Sequence, residues 1–137
     1  MAGFTQSFGA GNSDFWMMTL DSAGKIASQK TYGRKKIDEA YAVQPLKDGG
    51  YVMAGFTKSF GTGRSDLGII RLNAYGNLIW QFALGTKNSE IAESNNLLQQ
   101  TQDGGFIFAG TINNDANKNI NEISRSDAWV LKLDSVK

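Results

Sequence analysis

The sequence predicts an all-β fold that is built from repeated four-stranded antiparallel sheets. Residues 1–5, Met-Ala-Gly-Phe-Thr, recur letter for letter at positions 53–57, and an internal repeat of this kind indicates a modular architecture. The chain has 16 glycines and one proline in 137 residues, which favours many tight turns. No stretch carries a sustained helical period of apolar residues, so each repeat is expected to consist of strands.

Three copies of the repeat can be aligned along the chain. An offset of 52 residues relates Ser7-Phe8-Gly9 to Ser59-Phe60-Gly61 and also relates Asp14 to Asp66. The third copy contains Asp127 and is longer, because polar residues are inserted at two points, as is typical of loops. The chain therefore divides into a partial repeat at 1–33, a complete repeat at 34–85 and a partial repeat at 86–137.

Four runs in a complete repeat have the length and alternation of strands. The expected first strands are 40–46 and 94–101, the second strands 1–5, 51–57 and 106–111, the third strands 14–21, 66–73 and 127–134, and the fourth strands 26–32 and 78–84. Asp-Gly-Gly at 48–50 and 103–105 predicts hairpin turns, because glycine readily adopts a positive φ. Residues 21–24 and 73–76 predict a second, slightly longer hairpin turn.

The third strand determines the expected architecture. Its first copy, Phe-Trp-Met-Met-Thr-Leu at 15–20, is apolar on both faces, and such a strand must be covered on both faces. Without helices, this requires stacking on sheets of the same kind, which is typical of β-propeller blades. Pro45 fits a first strand at an unpaired sheet edge, where such a blade lines the central channel. The predicted fold is therefore an incomplete array of about two and a half propeller blades.

The complete repeat also resembles a known family. Residues 48–57, followed by Ser65-Asp66, Leu72-Asn73, Gly76-Asn77 and Ile79-Trp80, resemble the bacterial and archaeal β-propeller repeats of the SBBP and delta-60 type. Residues 69–81 resemble, more distantly, the repeats of quinoprotein dehydrogenase propellers. Two positions depart from the pattern: Gly68 replaces the tryptophan of the other copies, and Ala27-Ser28 replace Ile79-Trp80. The resemblance implies tandem repeats on an extracellular or cell-surface protein, usually without an assigned activity.

The number of predicted strands is ten, two fewer than three blades require. A propeller ring typically has four to eight blades, because closure protects the sheet edges. We therefore expect further blades of a longer chain or self-association of several copies, and a third interpretation is a repeat excised or built for the study of propeller assembly. An isolated single chain would expose the apolar faces of its two end sheets, and we expect it to be unstable or prone to association.

Composition excludes several kinds of chemistry. The chain has no cysteine and no histidine, so it lacks thiol nucleophiles, zinc–thiolate sites and the usual general base. Fourteen basic and 13 acidic residues give a net charge of +1. This balance provides no electrostatic reason to expect nucleic acid or an anionic membrane as a partner.

The repeated Ser-Asp pairs are candidate ligand-binding residues. They contain Asp14, Asp66 and Asp127. The favoured interpretation is structural, because an aspartate at a turn accepts backbone N–H bonds and fixes the loop. The alternative is that the three carboxylates lie around one face of the propeller and bind a ligand together.

The insertion at residues 113–122 is a candidate calcium loop. Oxygen side chains alternate at Asp115, Asn117, Asn119 and Asn121, a spacing that directs alternate side chains toward one cation. The presence of Ile120 and Lys118 and the single early carboxylate favour a solvated asparagine-rich loop instead.

Two functions from different classes agree with these features. The first is a non-catalytic propeller module, without a required cofactor, that serves as a structural scaffold or binds a protein or glycan. The alternative is a fragment of a quinoprotein-like or carbohydrate-active propeller enzyme whose active site lies outside this chain. Regularity of the repeats and the absence of histidine favour the first.

Overall fold

A computed structural model describes residues 1–62, 65–85, 90–91, 97–113 and 126–134 of the chain. These residues form strands and connecting turns and contain no helix. The strands are β1 (Ala2–Thr5), β2 (Asp14–Leu20), β3 (Ile26–Tyr32), β4 (Asp38–Pro45), β5 (Tyr51–Thr57), β6 (Asp66–Leu72), β7 (Leu78–Leu84), β8 (Glu90–Ile91), β9 (Leu97–Gln100), β10 (Phe106–Asn113) and β11 (Ser126–Leu133). The prediction of an all-β chain is confirmed.

The strands form three antiparallel sheets that follow one another along the chain. The N-terminal sheet has the order β1-β2-β3 and the central sheet the order β4-β5-β6-β7. In the C-terminal sheet β10 pairs with β11 on one edge and with both β8 and β9 on the other. The central sheet is the four-stranded antiparallel unit that the sequence predicts, and Pro45 lies on its edge strand β4.

Several strands differ from their predicted bounds by one to three residues; β4, for example, runs over Asp38–Pro45 where 40–46 was expected. The single strand expected at 94–101 corresponds to β9, and a separate short strand, β8, pairs with Asn113 and Ile112 of β10. The strand expected to end at position 111 continues to Asn113, which pairs with Ser126 of β11. Strand β10, which precedes the polar insertion of the third repeat, is thus one residue longer than the corresponding strand β5 of the complete repeat.

The two predicted types of hairpin turn are present. Asp48 accepts a hydrogen bond from the Gly50 backbone N–H at 3.0 Å, and Gly49 has a φ of 83°. Asn73 accepts hydrogen bonds from the backbone N–H groups of Tyr75 and Asn77, both at 2.9 Å. These side chains fix the turns because they replace a missing backbone acceptor.

The central sheet is covered on both faces. On the side of the C-terminal sheet, Leu67 and Ile69 of β6 belong to one buried cluster with Phe108. On the side of the N-terminal sheet, Ile70 of β6 belongs to a second buried cluster with Phe15. Consecutive strand residues point to opposite faces, so β6 is buried on both sides, as the apolar pattern of the third strand predicts.

The described residues include no helix that is long and apolar enough to cross a membrane.

Candidate functional site

The repeated aspartates begin the third strand of their sheets. Asp14 is the first residue of β2 and Asp66 the first residue of β6, and both side chains are buried. Asp127 is the second residue of β11 and pairs with Ile112. The structure therefore places the three aspartates at corresponding points of three consecutive sheets.

Each buried carboxylate packs closely against two glycines. A Cβ added to Gly9 or Gly33 would lie 2.0 Å and 2.2 Å from the carboxylate oxygens of Asp14. Contacts this short mean that the Asp14 carboxylate would have to shift if either glycine were replaced. Gly9 also has a φ of 129°, which favours glycine.

The same arrangement recurs one repeat later around Asp66. A Cβ added to Gly61 would lie 2.2 Å from Oδ2 of Asp66, and one added to Gly85 would lie 1.8 Å from Oδ1. Gly61 has a φ of 119°. The carboxylate and its two glycines are therefore one structural device, used in both the N-terminal and the central sheet.

The Asp14 carboxylate fixes the loop between β1 and β2. Its Oδ2 accepts a hydrogen bond from the Gly11 backbone N–H at 3.0 Å, whereas its Oδ1 is buried and has no hydrogen-bond partner among the described residues. The buried positions of Asp14 and Asp66 leave little carboxylate surface for a ligand from solvent. A shared ligand at Asp14, Asp66 and Asp127 stays a prediction.

A third buried aspartate, Asp38, was not predicted from the sequence. It is the first residue of β4, and its Oδ1 accepts a hydrogen bond from the Thr57 hydroxyl at 2.5 Å. Its Oδ2 accepts a hydrogen bond from the Arg34 backbone N–H at 2.9 Å. Asp38 thus ties the connection between two sheets to the end of β5. The available signal was an aspartate just before the first strand expected at 40–46.

Asp38 lies close to Asp14. A Cβ added to Gly33 would approach Oδ1 of Asp14 to 2.2 Å and Oδ2 of Asp38 to 2.9 Å. The backbone of Asp38 also donates a hydrogen bond to the Ser13 carbonyl oxygen at 2.8 Å. This cluster connects the N-terminal sheet to the central sheet.

The hairpin aspartates form a second repeated device at the surface. Asp48 makes a 2.5 Å ion pair with Arg71 of β6, and Asp103 makes a 2.5 Å ion pair with Lys132 of β11. The pKa of Asp48 is lowered mainly by the hydrogen bond from the Gly50 backbone N–H and further by the charge of Arg71. The Lys132 ammonium is the largest influence on Asp103 and also holds its pKa well below the usual range. Opposite charges and hydrogen bonds to the ionised form act in this direction.

A cleft of about 180 Å³ opens between the central and C-terminal sheets, beside the first of these pairs. Its wall contains the aromatic rings of Trp80 and Phe106 and the polar side chains of Asp48, Arg71 and Gln100. The volume suits a ligand smaller than the drug-sized molecules that typical pockets hold.

Among the described residues, no three acidic side chains lie close enough together to hold a metal ion. The predicted calcium ligands Asp115, Asn117, Asn119 and Asn121 lie outside the described residues. Calcium binding there stays a prediction.

No protein-family model matches this chain, and a comparison with curated proteins also gives no match. The resemblance to propeller repeats therefore remains an expectation from the sequence.

Proposed function

We propose that the chain is a non-catalytic repeat module of the β-propeller type, completed by further blades or by self-association, which acts as a binding or structural scaffold. The observation that carries this proposal is the use of the repeated carboxylates. Asp14 and Asp66 are buried against glycines, and Asp48 fixes a hairpin turn. In a chain without histidine or cysteine, carboxylates are the main remaining catalytic groups. The carboxylates of Asp14, Asp66 and Asp48 have structural contacts instead.

Blade-like stacking supports the propeller part of the proposal. The central sheet is a four-stranded antiparallel unit with its strands in chain order, and it packs on a neighbouring sheet through each face. Propellers repeat this arrangement around a ring. By the resemblance of its repeats, we also place the protein at the cell surface or outside the cell.

A small glycan fits the cleft as the ligand of such a module. Trp80 offers a partly exposed aromatic ring, and Gln100 and Asp48 offer hydrogen-bonding groups beside it. Aromatic faces together with a few oriented polar groups form binding sites for small polar ligands. A protein ligand would instead require a larger surface.

A binding screen tests the proposal. The purified chain is applied to a glycan array, and its melting temperature is measured with and without pyrroloquinoline quinone and Ca²⁺. We expect glycan binding that is weakened by Gln100→Ala and unchanged in Gln29→Ala, a substitution in the N-terminal sheet. Marked stabilisation by the quinone, with dehydrogenase turnover, would contradict the proposal and favour the enzyme alternative.

A further inference from the structure

The two junctions between sheets use equivalent residues in the same direction. We call the face of a sheet toward the preceding sheet its N-side face and the opposite face its C-side face. In both junctions a C-side face packs on the N-side face of the next sheet. The residues that correspond in the repeat alignment are Phe15 and Leu67, Met17 and Ile69 on C-side faces, and Met53 and Phe108, Ile70 and Leu131 on N-side faces.

No sheet formed by the described residues covers the N-side face of the N-terminal sheet. By the repeat alignment, Met1 corresponds to Met53 and Leu20 corresponds to Leu72. Met53 and Leu72 are both 0% exposed in the central sheet, whereas Met1 is 69% and Leu20 45% exposed. This face therefore carries apolar residues at positions that are core positions one repeat later.

The C-side face of the C-terminal sheet is open in the same way. Ile107 corresponds to Val52, and Val130 corresponds to Ile69. Val52 and Ile69 are both 0% exposed, whereas Ile107 is 37% and Val130 73% exposed. Ala109 pairs with Val130 across the strands, as Ala54 pairs with Ile69 in the central sheet. The backbone register of a packed face is therefore present on a face whose apolar side chains Ile107 and Val130 are exposed.

The two open faces are complementary in side-chain size. In the junction between the N-terminal and central sheets, the ring of Phe15 lies over Gly68, 3.3 Å from the position of an added Cβ. On the open faces, Trp16 stands at the position of Gly68, and the exposed Ala128 stands at the position of Phe15. A large residue would again face a small one: Trp16 would face Ala128, as Phe15 faces Gly68, but here the large residue lies on the N-side face.

We propose that a second copy of this chain docks head to tail, with the N-side face of its N-terminal sheet on the C-side face of the C-terminal sheet. This inference rests on the proposed stacking of blade-like sheets. The three sheets of the described residues are too few for a ring by themselves, whereas two copies of them supply six, within the usual four to eight. Two identical head-to-tail contacts then close the ring around a twofold axis, so no apolar face remains open.

The mass of the native particle tests the association. Light scattering of the wild-type chain is expected to give twice the chain mass of 14.9 kDa. Val130→Asp places a charge on the open C-side face and is expected to give the mass of one chain. Tyr75→Asp is the matched control, because Tyr75 is an exposed residue of a hairpin turn and lies on neither face. Its particle keeps the wild-type mass.

A mixing experiment tests the direction of docking. Leu20→Asp blocks the N-side face and is expected to give single chains, as Val130→Asp does. The mixture of the two variants still contains one intact face of each kind, so a head-to-tail contact pairs them into heterodimers. If two copies instead docked through the same face, one of the variants would remain dimeric alone, and this result would overturn the proposal.

A size exchange tests the packing itself. Ala128→Phe alone places a large side chain opposite Trp16 and is expected to abolish the dimer, whereas Ala128→Phe with Trp16→Gly recreates the Phe15–Gly68 arrangement and restores it. A wild-type chain that is monomeric at all concentrations and melts cooperatively would overturn the inference. Such a result leaves the non-catalytic part of the proposed function standing, since quinone binding with dehydrogenase turnover is the result that contradicts that part.

Discussion

Replacement of two adjacent isoleucines in β6 is the clearest test of the two-sided burial of the central sheet. Ile69 is 0% exposed and packs toward the C-terminal sheet, and Ile70 is 1% exposed and packs toward the N-terminal sheet. Isoleucine-to-alanine substitutions in a closed core cost about 2–5 kcal/mol, because apolar contacts are lost and a cavity remains. We therefore expect Ile69→Ala and Ile70→Ala each to lower the free energy of unfolding by about 2–5 kcal/mol.

Ile79→Ala is the matched control for these substitutions. Ile79 lies on β7 of the same sheet but is largely exposed, and such positions change stability by about 0.5 kcal/mol or less. Urea denaturation at one fixed protein concentration measures all three variants, since association makes stability depend on concentration. The reasoning is refuted if only one of Ile69→Ala and Ile70→Ala destabilises the chain, because β6 would then have one open face.

Three further predictions concern the repeated devices and the titratable groups. Gly61→Ala is expected to lower the thermal midpoint, because its Cβ would lie 2.2 Å from Oδ2 of Asp66 and its φ is 119°. An unchanged midpoint in Gly61→Ala would contradict the close packing of Gly61 on the Asp66 carboxylate. The pKa of Asp48 is lowered in the folded protein, so its ionised side chain contributes fully to stability above the unfolded pKa of 3.8, and this contribution is lost as the pH falls through the lower folded pKa. Urea denaturation between pH 5 and pH 2 is expected to show a smaller loss of unfolding free energy in Asp48→Asn than in the wild type. Equal losses in the two proteins would count against the ion pair. Desolvation raises the pKa of Tyr32 to about 12, so the stability that its neutral hydroxyl supports is present below pH 10 and lost as the pH rises toward 12. Ultraviolet titration of the folded protein is expected to show a late-titrating phenol that is missing in Tyr32→Phe.

Local patterns in the sequence predict the fold well at the turns and third strands. The Asp-Gly-Gly turn at 48–50 depends on one side chain and one glycine that are neighbours in the chain, so the sequence alone contains its cause. The burial of β6 on both faces is also local information, because both faces of residues 66–72 are apolar. Repetition strengthens such signals, since each copy predicts the others.

Features that depend on distant parts of the chain were harder to predict. Asp38 is held by Thr57, 19 residues away, and lies near Asp14 of another sheet. The sequence shows that an aspartate precedes the strand, but not that a threonine hydroxyl faces it. The pairing of the short strand β8 with Ile112 and Asn113 of β10 is also a long-range feature, which the first-strand pattern at 94–101 does not contain.

The candidate site shows the same division. The repeat predicted that Asp14 and Asp66 occupy corresponding positions, and the structural interpretation agrees with their burial. The cleft beside Trp80 was not predicted, because its wall combines residues from two sheets. Only the stacking of these sheets brings Gln100 and Phe106 next to Arg71.

Nuclear Overhauser effects across both faces of the central sheet are the most direct test of serial stacking. The structure predicts contacts between the Phe15 ring and the α protons of Gly68 on one face, and between the Ile69 methyl groups and the Phe108 ring on the other. Observation of both sets in the same sample would agree with a central sheet that is enclosed by its neighbours. Contacts on one face only, with solvent-exposed side chains on the other, would contradict the account.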